Sequence, residues 1–154
     1  MYKRQLRHNG YEKALQDAGL AVRPTWFVPA DYTIQGAYHA AKQLLGDPRN
    51  APTAIVCASD EMGFGAIMAA RDLGLRVPED VSIIGMDNHD MSEFFGLTTV
   101  DQDVRGQGRS AAERLLAVLE SEDDSVPTNV EENDAWPVRL LVRHSTARPK
   151  AATR

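Results

Sequence analysis

Asp60 and Asp87 are the side chains best placed for chemistry, because each follows a short apolar run, Ala54 to Ala58 and Val81 to Met86 respectively. Apolar runs of that length fit strands buried on both faces of a parallel sheet. Carboxylates at their C-terminal ends then stand where open α/β sheets bind ligands. A plainer task is open to the first pair: Ser59 or Asp60 can cap the helix that follows, with Glu61 near its positive end. Asp87 has no capping duty visible in the sequence, which makes it the stronger ligand candidate.

Three catalytic readings fail on their own chemistry. Ser59 has the setting of a nucleophile elbow, but that turn needs glycine two residues to either side, and Cys57 and Glu61 stand there. Asp87, His89 and Asp90 are metal-ligand types without a further ligand pair, so no metal is expected and His89 reads as a solvated loop residue. Gly63 and Gly65 fall inside a helix, where they permit close packing instead of cradling phosphate. No enzyme activity and no cofactor are expected.

The stretch from Pro52 to Asn88 is one strand, helix and strand unit with a right-handed crossover, its helix stopped by Gly74 in a left-handed conformation. That helix carries no charged or polar side chain from Met62 to Ala70, so both of its sides need cover. A homodimer contact through Met62, Phe64, Gly65, Met68 and Ala69 would supply it.

Upstream, Met1 to Ala18 reads as an amphipathic helix with Leu6, Gly10, Ala14, Leu15 and Ala18 at helical spacing, stopped by Gly19. Thr25 to Val28 reads as a strand, and Thr33 or Ile34 opens a helix with Ala37, Ala40, Ala41, Leu44 and Leu45 on one face. Downstream, Leu97 to Val100 is extended, and Val104 to Leu119 is helical with Ala111, Ala112, Leu115, Leu116 and Leu119 inward. Ser121 to Asp134 is an acidic solvated loop. Pro137 to Arg143 alternates as a half-exposed strand near a sheet edge, and the tail frays from Ala147. The resulting class is α/β, an open and mostly parallel sheet with helices on both faces. It begins with a helix where an α/β unit should begin with a strand, so the unit reads as incomplete.

A chain of 154 residues, 43% hydrophobic and 25% charged, is ordinary for one globular domain. A net charge of −5 without a basic cluster argues against free-standing DNA binding. Cys57, in mid-strand, reads as a small core residue. There is no apolar leader and no membrane-length run, so a cytoplasmic location without membrane contact is expected.

ASDEMGFGA, GLRVPEDVSIIGMDN, LTTVDQD and VRLLVRHST closely resemble, in that order, the effector-binding region of LacI/GalR-type (lactose-repressor family) transcriptional regulators. The resemblance covers nearly the whole chain. It implies a periplasmic-binding-protein-like type I lobe at residues 1–103 with its first strand missing. Residues 104–120 would belong to an absent N-terminal lobe, 121–136 would be the acidic loop, and 137–154 the terminal strand and tail. It further implies a homodimeric sensor of a sugar or related polyol that meets operator DNA only through an N-terminal helix-turn-helix not present here. Effector contacts carry over onto Arg7, Tyr32, Ser59, Asp87 and Gln102, and Asp60 joins them from its strand-end position. A polyol needs carboxylates and amides for its hydroxyls, an arginine fork and an aromatic face, and these residue types supply them. The duller readings are an exposed arginine for Arg7, loop packing for Tyr32, helix capping for Ser59 and Asp60, and a hinge for Gln102. Two other functions fit the same pattern: a truncated regulator that pairs with intact subunits, and the solute-binding protein of a sugar transporter.

Overall fold

The computed structural model describes residues 2–120 and 136–149, so the acidic loop expected at Ser121 to Asp134 lies outside the described residues. Helix α1 (Tyr2–Asp17) leads through a 3-10 turn at Pro24–Trp26 to α2 (Ile34–Leu45) and β1 (Ala54–Val56). Then come α3 (Asp60–Asp72), β2 (Ser82–Met86), a 3-10 turn at Asp90–Ser92, β3 (Thr98–Asp101), α4 (Val104–Glu120) and β4 (Arg139–Leu141). The sheet runs β1-β2-β3-β4, with the first three strands parallel and β4 antiparallel to β3. No helix among the described residues is long and apolar enough to cross a membrane.

Local chemistry explains most of these limits. The Thr33 hydroxyl accepts the Gly36 N–H at 3.0 Å and starts α2, and the Ser59 hydroxyl accepts the Met62 N–H at 3.3 Å and starts α3. Gly19 (φ 68°) and Gly74 (φ 72°) end α1 and α3 in the left-handed region, and the N–H groups of Leu20 and Leu75 return to the Leu15 and Ala70 carbonyls. After β4 the chain inserts Ser145 between β2 and β3. Its hydroxyl donates to the Ile83 carbonyl at 2.6 Å and accepts the Thr98 N–H at 2.8 Å.

The core is one cluster joining Ala41 and Leu45 of α2, Ile55 and Cys57 of the β1 segment, Phe64, Ala66, Ala69 and Ala70 of α3, and Val81, Ile83 and Leu97 around β2 and β3. This arrangement corrects the expected dimer surface. Phe64, Gly65 and Ala69 are buried within their own chain, because α2 provides the cover a second copy was expected to provide. A Cβ on Gly65 would lie 2.9 Å from the Tyr38 nitrogen, so glycine sets how closely the α2 and α3 backbones approach. Met62 is half-buried, and only Met68 of the five is openly exposed.

Four further expectations change. Thr25 to Val28 is not a strand: no neighbouring strand pairs with it, and the Pro24–Trp26 turn takes its place. β1 is buried on one face only: Ile55 faces the core, while Ala54 and Val56, the latter 50% exposed, face outward. Helix α1 turns Arg7, His8, Tyr11, Glu12 and Leu15 toward the body, while Leu6, Gly10, Ala14 and Ala18 are exposed. The Lys- and Arg-rich sequence has no strong apolar stripe to override that choice. Helix α4 forms, yet buries none of its residues, and Leu115, Leu116 and Leu119 face outward. On β4 the apolar members Val138, Leu140 and Val142 are likewise the exposed ones, and the tail stays attached as far as Ala147, whose N–H donates to the Ser82 hydroxyl at 3.1 Å.

The glycine contrast is testable by thermal unfolding. Gly65→Ala is expected to cost about 1–3 kcal/mol by forcing α2 and α3 apart. Gly10→Ala, with nothing within 4 Å of the added methyl, is expected to raise stability by about 0.5–1 kcal/mol. Equal effects at the two sites would remove the close crossing as a constraint.

Candidate functional site

The C-terminal edge of the parallel strands gathers side chains from three separate elements. The Arg7 guanidinium, in the second turn of α1, donates from Nη1 to the Ala58 carbonyl at 3.0 Å and from Nη2 to Gln102 Oε1 at 3.4 Å. Gln102 Nε2 in turn donates to Asp87 Oδ1. Arg7, Gln102 and Asp87, separated by up to 95 positions, thus form one polar chain across the end of the sheet. The amide is oriented by its two neighbours, with its oxygen toward the guanidinium and its nitrogen toward the carboxylate.

Backbone geometry aims this chain outward. Asp87 (φ 100°), Asn88 (φ 51°) and Asp103 (φ 48°) all have positive φ, a region that short polar side chains tolerate better than most. Asp103 caps α4 by accepting the Gly106 N–H at 3.1 Å, and Gln107 Nε2 donates to the Gln102 carbonyl at 2.6 Å. The Asp103 N–H donates to Asp101 Oδ1. That bond, followed by the Arg139 guanidinium at 3.0 Å, holds the Asp101 carboxyl below the usual carboxylate range. Arg143 fixes the neighbouring turn by donating to the Asn88 side-chain oxygen and the Leu97 carbonyl, each at 2.8 Å.

Asp60 has a different position. It is 1% exposed, and its carboxylate accepts the His89 N–H at 2.7 Å, the Ser92 hydroxyl at 2.6 Å and the Thr99 hydroxyl at 2.5 Å. These bonds pin the start of α3 to the turn after β2 and to β3. The structure therefore gives Asp60 a positioning task beneath the edge instead of bringing it into the polar chain. Ser59, also buried, lies next to the carbonyl that Arg7 holds, and its capping bond leaves the hydroxyl hydrogen free to donate. Tyr32 is 49% exposed and lines an apolar cavity with Arg7, away from Asp87's direct partners. Cys57 is buried, and burial, reinforced by the charge on Asp60, pushes its thiol up to about 12, so it stays protonated and unreactive in the folded chain.

The residues that sequence reasoning missed are Gln107, Arg143, Asn88 and the partners of Asp60. Asn88, Thr99 and Arg143 fall within the stretches that carry the family resemblance, but nothing in their spacing assigned them a role. Only the consecutive Asp87 and Asn88 at a strand end hinted at a left-handed turn.

A family model described as a periplasmic binding protein-like domain matches residues 2–146. A LacI family transcriptional regulator from Mycobacterium smegmatis superposes with a TM-score of 0.76 at 35% identity, covering 94% of this chain and 53% of that one. The chain belongs to the periplasmic binding protein-like domain family. The HTH-type transcriptional repressor PurR of Erwinia tasmaniensis is 40% identical over 92% of this chain, which spans 40% of that relative's length. A LacI family regulator from Enterococcus faecium, solved with bound ribose, is 30% identical with a TM-score of 0.74, covering 92% of this chain and 51% of that one. The chain thus spans about half the length of these solved regulators.

The two aspartates are expected to separate in denaturant unfolding. Asp60→Asn should lose on the order of 3 kcal/mol, because an amide nitrogen then faces hydroxyl and amide donors. Asp87→Asn should stay within about 0.5 kcal/mol of the parent. A neutral Asp60→Asn would deny the carboxylate its positioning role.

Proposed function

We propose that this chain is the effector-binding and dimerisation part of a LacI-type transcriptional repressor and that the effector is a sugar or related polyol. The observation that carries the reading is the Arg7–Gln102–Asp87 chain at the C-terminal strand edge. A guanidinium, an amide and a carboxylate in series offer donors and acceptors in the alternation that vicinal hydroxyls require. Ser59 adds a hydroxyl donor, and the exposed ring of Tyr32 can cover an apolar sugar face. Asp60, with its oxygens engaged by the protein, is left out of the contact set. The ribose-bound Enterococcus relative and the CelR regulator solved with cellobiose, the latter 30% identical, support this ligand class.

The remaining elements fit a two-lobed sensor. Residues 1–103 form one lobe, and α4, which buries nothing here, packs into the other. Gln107 ties the start of α4 to Gln102, so effector bound at Asp87 also bears on the crossing between lobes. Operator DNA is bound by the helix-turn-helix of the whole regulator, not by this acidic stretch, and the protein works in the cytoplasm without catalysis. The homodimer contact uses the exposed apolar side chains Met68, Met91 and Phe94, the last 83% exposed.

Two measurements on the whole regulator test this. Ribose and cellobiose head a sugar panel scored by thermal shift and by operator release. With the responding sugar, Asp87→Asn is expected to weaken binding by at least ~1.5 kcal/mol; wild-type response would take Asp87 out of the site. Met68→Glu with Phe94→Glu is expected to turn a dimer into a monomer on sizing with light scattering, and an unchanged mass would reject that contact.

A further inference from the structure

The turn after β2 carries Asp87 into the site on strained backbone, since Asp87 and Asn88 are consecutive residues at φ 100° and φ 51°. Even aspartate and asparagine adopt that region uncommonly, so two in a row persist only where the surroundings over-determine them. The backbone contacts that do so are uneven. The Asp87 N–H donates to the Val100 carbonyl at 2.9 Å, and the His89 N–H to the Asp60 carboxylate at 2.7 Å. Between them the Asn88 N–H reaches the Thr99 hydroxyl only at 3.4 Å. Asn88 is the weakest backbone link of the turn, and its side chain supplies the hold instead.

That hold comes from Arg143, 55 positions away. Its Nη2 donates to Asn88 Oδ1 and its Nη1 to the Leu97 carbonyl, each at 2.8 Å. The stem is anchored at its base, because the Arg143 N–H donates to the Thr98 hydroxyl at 3.0 Å and the His144 N–H to the Gly96 carbonyl at 2.8 Å. The guanidinium is half-buried, both of its acceptors are uncharged, and among the described residues no carboxylate pairs with it. A cation drawn out of water without a counter-charge costs stability, so what this arrangement gains is geometry. A rigid planar fork that grips oxygens from two separate segments fixes the distance between them.

We propose that Arg143 is a positioning residue for the effector site: by gripping the Asn88 side chain it keeps the turn at residues 87–88 left-handed, and so keeps the Asp87 carboxylate on Gln102 Nε2. Without that grip the turn relaxes toward negative φ, and the carboxylate swings off the amide that links it to Arg7. The segment after β4 thereby sets effector affinity from outside the contact set. The proposal deepens the sugar-sensor reading and rests on it only for what Asp87 binds.

The first arm of the test is NMR on this chain. A residue with positive φ holds its own N–H close to its Hα and gives a strong cross-peak between them in an amide-resolved NOE spectrum, which is expected at Asp87 and Asn88. Arg143→Met keeps the apolar stem and is expected to lose the strong Asp87 peak and to shift the Gln102 side-chain amide. Asn88→Ala leaves Arg143 its bond to Leu97 and is expected to do the same, so it decides the matter where Arg143→Met does not fold. A strong Asp87 peak retained in either folded variant would overturn the proposal. No sugar enters this arm, so its failure is separate from failure of the sensor reading. The second arm is binding by the whole regulator of whichever of ribose and cellobiose it answers to. Arg143→Met is expected to weaken binding about fivefold, but by less than about twofold where Asp87→Asn is already present. An equal loss in both backgrounds would make Arg143 merely structural and overturn the proposal, as would unchanged binding by folded Arg143→Met.

Discussion

The buried carboxylate of Asp60 is the constraint on which the site edge depends. It sits in the first turn of α3, where the helix dipole favours a negative charge, and receives donors from the turn after β2 and from β3. A charge removed from water at that depth is tolerable only because its oxygens are fully engaged. Its approach to the sheet requires Gly85, where a side chain would run into the carboxylate itself. One side chain thus ties three elements together, and Asp87 stands two residues beyond the glycine that admits it.

Above this buried clasp the chemistry becomes deliberately loose. Asp87, Asn88 and Asp103 hold left-handed backbone conformations around the strand ends, and the bonds from Gln102 to Asp87 and from Gln107 to the Gln102 carbonyl are surface bonds in reach of water. Surface hydrogen bonds of this kind exchange readily with solvent or with a ligand's hydroxyls at small net cost. A rigid floor with an exchangeable rim is the arrangement a reversible small-molecule sensor needs.

The outward parts of the structure share one cause. Leu115, Leu116 and Leu119 on α4, Val138 and Leu140 at β4, and Val56 on β1 are large apolar side chains left in water. Each lies on an element that the parallel-sheet core around Ile83 and Leu97 does not cover. The same helix and strand patterns that predict burial are present, but burial needs a facing surface, and among the described residues none covers them.

Periodicity and terminal signals in the sequence determined the central strand, helix and strand unit, the starts of α2 near Thr33 and of α3 at Ser59 or Asp60, the left-handed Gly74, and Asp87 as a carboxylate at a strand end. These are local matters: a cap or a turn is decided by residues three or four apart, and a family resemblance reads directly on such motifs. Tertiary structure alone decided that Asp60 faces inward, that α2 covers α3 at Gly65, and that Arg7, Gln102 and Asp87 meet. It also decided that Thr25 to Val28 stays unpaired. A strand is a strand only against a neighbour, and a carboxylate is structural or functional according to which donors the rest of the chain brings within three ångströms. Spacing along one sequence cannot state either condition, because both are set by residues far away in it.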